Sequence, residues 1–195
     1  MEVKKRPGGR SARVRDAVRE ATIAELAEHG YTGLTMDNVA KRSGVHKTTV
    51  YRRWTNPEGL IADALDLAAT EPWPIPDTGS LDDDLRAIVD LVRTGFADPQ
   101  AGPISTAFIT AAMQNPATAT ALNAFFTARH DQSAQVVHRA ISRGELPATV
   151  DPHALIRFAV APIYYRLFIS HEPLTDADTD AAAAAALAAA RAGTL

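Results

Sequence analysis

The chain has 195 residues, 46% of them hydrophobic and 22% charged, with a formal net charge of -3, which is enough for one ordinary domain or two small ones with a real hydrophobic core. It contains no cysteine, which excludes disulfides, thiolate zinc sites, iron–sulfur clusters and cysteine nucleophiles together and suits a cytoplasmic protein. No run approaches the roughly 18 uncharged apolar residues of a membrane span, and the start Met1-Glu2-Val3-Lys4-Lys5-Arg6 leads into Pro and Gly, so neither membrane insertion nor secretion is expected.

The net charge hides an asymmetry. Residues 1–60 hold 12 Lys and Arg against 7 Asp and Glu, and residues 61–195 hold 8 against 16, so a head of +5 precedes a body of -8. Such a split suggests that the head meets a polyanion. The head opens on Lys4, Lys5 and Arg6 in a basic segment, 1–10, that reads as a disordered arm along a DNA groove or backbone, with a solubilising tail as the plain alternative. A helix over 11–29 follows, with Val14, Ala17, Val18, Ala21 and Ala24 on one stripe. Thr35 caps a short helix, 36–43, whose Met36, Val39 and Ala40 share a face, and Gly44 ends it in a left-handed turn. In the next helix, 47–53, Val50 turns inward with Val45, leaving Lys47, Thr48, Thr49, Tyr51 and Arg52 outside. The pattern is a helix-turn-helix with a donor-rich second helix. Lysine and arginine bond guanine edges or phosphates, threonine a base edge or a thymine methyl, and tyrosine a phosphate. The competing reading is a solvated basic helix in some other bundle.

Beyond the head, helix starts of one chemical type recur: Asn56-Pro57-Glu58, Asn115-Pro116, Asp151-Pro152, Ser80 before Asp82, Asp83 and Asp84, and Thr175 before Asp176 and Asp178. They predict helices over 57–70, 81–97, 102–113, 116–143, 152–171 and 176–192. The proline cluster Glu71-Pro72-Trp73-Pro74-Ile75-Pro76-Asp77 separates the fourth and fifth. No period-two pattern marks a strand, so the fold class is all-α with about nine helices: a three-helix DNA-binding domain over 11–56 and a helical regulatory and dimerisation domain over 57–195.

On helix 116–143, one stripe carries Leu122, Phe126, Val137 and Ala140 together with Arg129 and Ser133, and His130 lies at its edge. An arginine in an apolar stripe needs a carboxylate, solvent or a polar ligand, so Arg129 reads as an internal ion pair or an effector contact. Phe96, Phe108, Met113, Phe125 and Tyr164 are further candidates to line an effector cavity, against the simpler reading of plain core. Residues 154–169 are apolar on every side apart from Arg157 and Arg166, which points to burial on both sides and a partner subunit. Ile156, Val160, Ile163, Leu167, Phe168 and, from the alanine-rich last helix, Leu187 are the candidate dimer contacts, and Pro162 should kink its helix. No catalytic motif occurs, the six histidines are scattered, and neither a cofactor nor a metal is expected.

Gly44-Val45-His46-Lys47-Thr48-Thr49-Val50-Tyr51-Arg52-Arg53-Trp54, with Gly30-Tyr31-Thr32-Gly33-Leu34-Thr35 before it, resembles the N-terminal domain of TetR-type transcriptional regulators, over residues 11–65. The segment Pro162-Ile163-Tyr164-Tyr165-Arg166-Leu167-Phe168 resembles one seen in some of their C-terminal domains. The resemblance implies a homodimer on a palindromic operator, the third helix in the major groove, phosphate contacts from the start of the second helix and the end of the third, and dimerisation through the last two long helices. It implies a repressor released by a small-molecule effector, with a ligand-independent DNA binder or an activator as alternatives. Two positions depart from the family pattern: His46 replaces a small capping hydroxyl residue, which implies either a weaker cap or a DNA-binding residue that itself reaches the groove, and Pro57-Glu58 stands where a lysine usually meets phosphate, a contact that the basic arm would compensate.

Overall fold

In the computed structural model, which describes residues 9–195, helices follow one another as α1 (Gly9–Gly33), α2 (Met36–Ser43), α3 (Lys47–Trp54), α4 (Pro57–Thr70), α5 (Leu81–Ala97), α6 (Ala101–Gln114), α7 (Pro116–Arg143), α8 (Pro152–Tyr165) and α9 (Asp176–Arg191). No strand occurs among the described residues, and none of their helices is long and apolar enough to cross a membrane. Lys4, Lys5 and Arg6 lie outside the described residues.

The chain divides into two units. The first runs to Thr70 and adds Pro103–Phe125. Its core joins Val18, Ala21 and Leu26 of α1 to Met36, Val39 and Ala40 of α2, Val50 and Trp54 of α3, Leu60, Ile61, Ala64 and Leu65 of α4, and Phe108 and Ala111 of α6. α4, expected to open the second domain at residue 57, fills the same core as α1, and two ion pairs from Arg15 to Asp63 (2.7 Å) and Asp66 (2.8 Å) reinforce that packing. Near its end α1 kinks at Gly30, whose φ of 66° and ψ of -177° are open essentially to glycine alone. Arg42 ties α2 to α1 through Glu25 (2.6 Å) and Glu28.

The second unit comprises Glu71–Gly102 and Phe126–Leu195. Leu81, Leu85, Ile88 and Val89 of α5 meet Val136, Val137 and Ala140 of α7, Leu155, Ile156, Ala159 and Ile163 of α8, and Ala182, Ala183, Ala186, Leu187 and Ala190 of α9. The expected caps form: Asp151 Oδ1 accepts from the amides of His153 (2.9 Å) and Ala154 (3.2 Å), and Thr175 and Asp178 make a reciprocal capping box. Of the three acids opening α5, Asp84 has a different task. It is fully buried and accepts from the Thr78 amide (2.8 Å) and hydroxyl (2.9 Å), so only Asp82 and Asp83 are left as surface carboxylates at the helix N-terminus. Pro162 lies inside α8, and the helix widens just beyond it into a π-helical turn over Arg166–Ser170. A proline lacks the amide that would bond the carbonyl one turn back, so Pro162 removes one bond from the turn that precedes it.

Candidate functional site

The reading helix is set up by local chemistry. Thr35 is extended (φ -128°), and its hydroxyl accepts from the Asn38 amide at 3.1 Å, starting α2. Gly44 takes a left-handed conformation (φ 66°, ψ 11°) and ends it, with its amide directed to the Lys41 carbonyl. Val50 and Trp54 then hold α3 against the first core, with Val45 half-buried beside them. Lys47, Thr48, Tyr51 and Arg52 remain exposed. Thr49 is half-buried rather than fully outside, because it borders the inward face that carries Val50. His46 makes no side-chain cap to α3; its Nδ1 lies 2.9 Å from the Thr48 hydroxyl instead.

One residue of this face escaped the sequence reading. Asp37, in the first turn of α2, accepts from Lys47 Nζ at 2.7 Å and from the Tyr51 hydroxyl at 2.9 Å. The Lys47 ammonium also sits 5.5 Å from the centre of the Tyr51 ring. The bond from Lys47, then that from Tyr51, holds the Asp37 carboxyl below the usual carboxylate range. The same carboxylate raises the Lys47 ammonium and the Tyr51 phenol above their ordinary values. The only sequence signal was an acid placed where a helix dipole welcomes one.

The two departures from the family pattern have structural counterparts. The missing cap at His46 is real, as above. Glu58, at the start of α4, accepts from the Tyr31 hydroxyl at 2.7 Å and from the Asn115 side-chain amide at 3.3 Å. It acts as an internal joint between the end of α1, α4 and the start of α7. Partners 27 and 57 residues away leave no local pattern in a sequence.

In the second unit the aromatic candidates converge in part. Tyr164 meets Phe96 (ring centroids 5.8 Å), Phe126 (5.6 Å) and Phe168 (6.5 Å), Phe96 also meets Phe168 (5.4 Å), and His130 stacks on Phe126 (6.1 Å). Burial pushes the Tyr164 phenol well above its ordinary value, and desolvation, aided by the Arg157 charge, lowers His130. Ser133 is buried on the same helix. Three further candidates belong to the first unit. Phe108 is buried in the first unit, Phe125 packs half-buried against that unit's core, and Met113 is 74% exposed there. Arg129 donates to the Glu71 carbonyl at 2.8 Å and lies 4.8 Å from the Trp73 ring. Together with Gln132, which accepts from the Trp73 amide at 3.0 Å, it braces the proline segment.

Of the expected dimer contacts, four are already covered within one protomer. Ile156, Val160, Ile163 and Leu187 are buried inside the protomer, Leu167 packs against the same core, and Phe168 belongs to the aromatic cluster. An all-apolar helix does not say which of its sides a second copy covers. The structure leaves Phe158, Ala161, Pro162, Tyr165 and Ile169 on one exposed stripe, and Ala181, Ala184, Ala185 and Ala188 along the outer face of α9.

Residues 18–64 match the description "Bacterial regulatory proteins, tetR family", and residues 75–186 match "Tetracyclin repressor-like, C-terminal domain". The HTH-type transcriptional regulator YdeS of Bacillus subtilis is 31% identical over 162 residues, 82% of this chain and 81% of that protein. The DNA-binding transcriptional repressor TetR of Mycobacteroides abscessus is 38% identical over 78 residues, 40% of this chain and 41% of that one. The crystal structure of the TetR family transcription regulator SCO0332 is similar with a TM-score of 0.70 and 32% identity, covering 90% of this chain and 97% of that one.

Proposed function

Since this chain belongs to the TetR family of transcriptional regulators, whose members are not enzymes, we propose that it represses transcription as a homodimer on a palindromic operator and leaves that operator when a small molecule binds its second unit. The observation that carries the reading is α3: its inner side is locked by Val50 and Trp54, while Lys47, Thr48, Tyr51 and Arg52 stand outside on a rigid helix. A buried anchor is what lets exposed side chains keep register with base edges. In this reading Thr48 and Lys47 address bases, and Tyr51 and the start of α2 address phosphates. Tyr51→Phe is then expected to lower affinity several-fold for operator and mixed-sequence duplex alike. Thr48→Ala or Lys47→Ala should instead change preference by about tenfold at one base position. Equal losses on every sequence for all three variants would remove the division of roles.

The homodimer is supported by the uncovered apolar stripe of α8, since a contiguous exposed patch of large apolar side chains favours association. The effector site is supported by the Tyr164 phenol, a hydroxyl in desolvated surroundings among Phe96, Phe126 and Phe168. A ligand that favours a different spacing of the two heads weakens operator binding by the same coupling energy with which the operator weakens the ligand. The test uses an operator recovered from random duplexes with the wild-type protein. Aromatic compounds are screened for a rise in melting temperature, and the hits for release of that operator in a mobility assay and in a promoter fusion. Hits that stabilise the protein and release the operator are expected, and Tyr164→Ala should abolish both effects. Direct contact among the Phe96, Phe168 and Tyr164 rings favours a second reading, a filled core with no effector. An operator complex indifferent to every stabilising compound would select it.

A further inference from the structure

We propose that Asp37 determines how strongly this protein discriminates its operator from other DNA, by occupying with its own carboxylate two donors that would otherwise take phosphate from any duplex. The proposal rests on the reading of α3 as the DNA-contacting helix. Lys47 Nζ and the Tyr51 hydroxyl, one helical turn apart, converge on the two oxygens of one carboxylate at 2.7 and 2.9 Å. An anion with two oxygens held between an ammonium and a phenol is a stand-in for a backbone phosphate, with the charge supplied from inside the protein. All three side chains are exposed: Lys47 and Asp37 by 58% and 54%, and Tyr51 by 43%. The trio therefore serves no core, and the raised Lys47 and lowered Asp37 values agree with a formed pair.

Two consequences follow from the chemistry. Non-specific binding draws its free energy from phosphate neutralisation, and a fixed carboxylate next to Lys47 both cancels its charge and repels the incoming phosphate. Asp37 has a short side chain on the rigid first turn of α2, so it cannot withdraw far. On the operator, the loss is offset by base contacts that a random duplex lacks. The paired Lys47 is also oriented, which suits a base edge, whereas an unpaired lysine would pair as a point charge with any phosphate. Asp37 is in this sense a positioning residue acting through Lys47 and Tyr51, and it lowers affinity for the wrong sequence more than for the right one.

The experiment titrates wild-type protein, Asp37→Asn, Lys47→Ala and Tyr51→Phe against the selected operator and against a mixed-sequence duplex over a range of salt concentrations. Asparagine keeps the shape and removes the charge, and an exposed position leaves the fold intact, which the melting curve checks. Asp37→Asn is expected to bind the mixed-sequence duplex about tenfold more tightly, with the slope of log affinity against log salt steeper by about one. Its ratio of operator to mixed-sequence affinity should fall by a similar factor. Weaker or unchanged binding to the mixed-sequence duplex, or an unchanged ratio, overturns the proposal. If Lys47→Ala and Tyr51→Phe leave binding to both duplexes intact, α3 is not the contact surface, and the reading beneath the proposal fails first.

Discussion

Tyr165→Glu is expected to convert the proposed dimer into a monomer and to lower operator affinity by about 10²–10⁴-fold, the factor lost when two linked contacts become one. Tyr165 is 57% exposed, between Phe158 of α8 at 46% and Ile169 of the following π-helical turn at 62%. Within one protomer this stripe is open to solvent on its outer side, so a glutamate at Tyr165 can keep its carboxylate hydrated and the fold is expected to stand. Between two protomers the carboxylate would lose its water and find only apolar neighbours, which costs several kcal/mol. Ile156→Ala separates the two kinds of position on the same helix. Ile156 is 1% exposed, and its truncation should lower stability by about 2–5 kcal/mol through the cavity it leaves. Sedimentation velocity and operator titration read the first effect, and thermal unfolding the second. A Tyr165→Glu protein that remains dimeric with undiminished operator affinity would exclude this stripe from the interface.

Gly44→Val should reduce DNA affinity by about 100-fold or more while leaving the second unit folded. The position has a φ of 66°, and no atom lies within 4 Å of where a Cβ would stand. Space is therefore not the obstacle; the backbone is. An ordinary L-residue held in this region costs about 1–2 kcal/mol, and a β-branched one more. The chain has a cheaper course, which is to leave the left-handed region and let α3 rotate relative to α2. That rotation pulls Val50 from the core and carries Lys47, Thr48 and Tyr51 off their register. Asparagine tolerates the conformation better than alanine, and alanine better than valine. The affinities should fall in the order Gly44→Asn, Gly44→Ala, Gly44→Val, measured by titration against the selected operator. Equal affinity across the series would mean that the turn does not set the angle between the helices.

What was legible in the residues was whatever depends on short reach along the chain. Thr35, Gly44 and Val50 specify a cap, a turn and an inward face within a few residues of one another, and all three are found as expected. The same is true of Asp151, whose side chain accepts from amides two and three residues ahead, and of Thr175, whose amide and hydroxyl both donate to the carboxylate of Asp178 three residues ahead. Asp37, Glu58 and Arg129 mark the limit. Each is an ordinary polar residue on a helix, and each acquires its role from partners that only folding brings near: Lys47 and Tyr51, Tyr31 and Asn115, Glu71 and Trp73. For Arg129 the residues demanded a partner but did not say that a carbonyl and an indole would supply it.

The residues by themselves determined that this is an all-helical protein with a basic helix-turn-helix head and an acidic body, because helix starts, stops and apolar periods are written locally. Which face of α8 is inside was decided by tertiary structure alone. That helix is apolar on every side, so its sequence ranks no direction, and the choice fell to α5 and α9, which cover Ile156, Ile163 and their neighbours and leave Phe158, Tyr165 and Ile169 outside. A uniform surface carries no orientation until something packs against it.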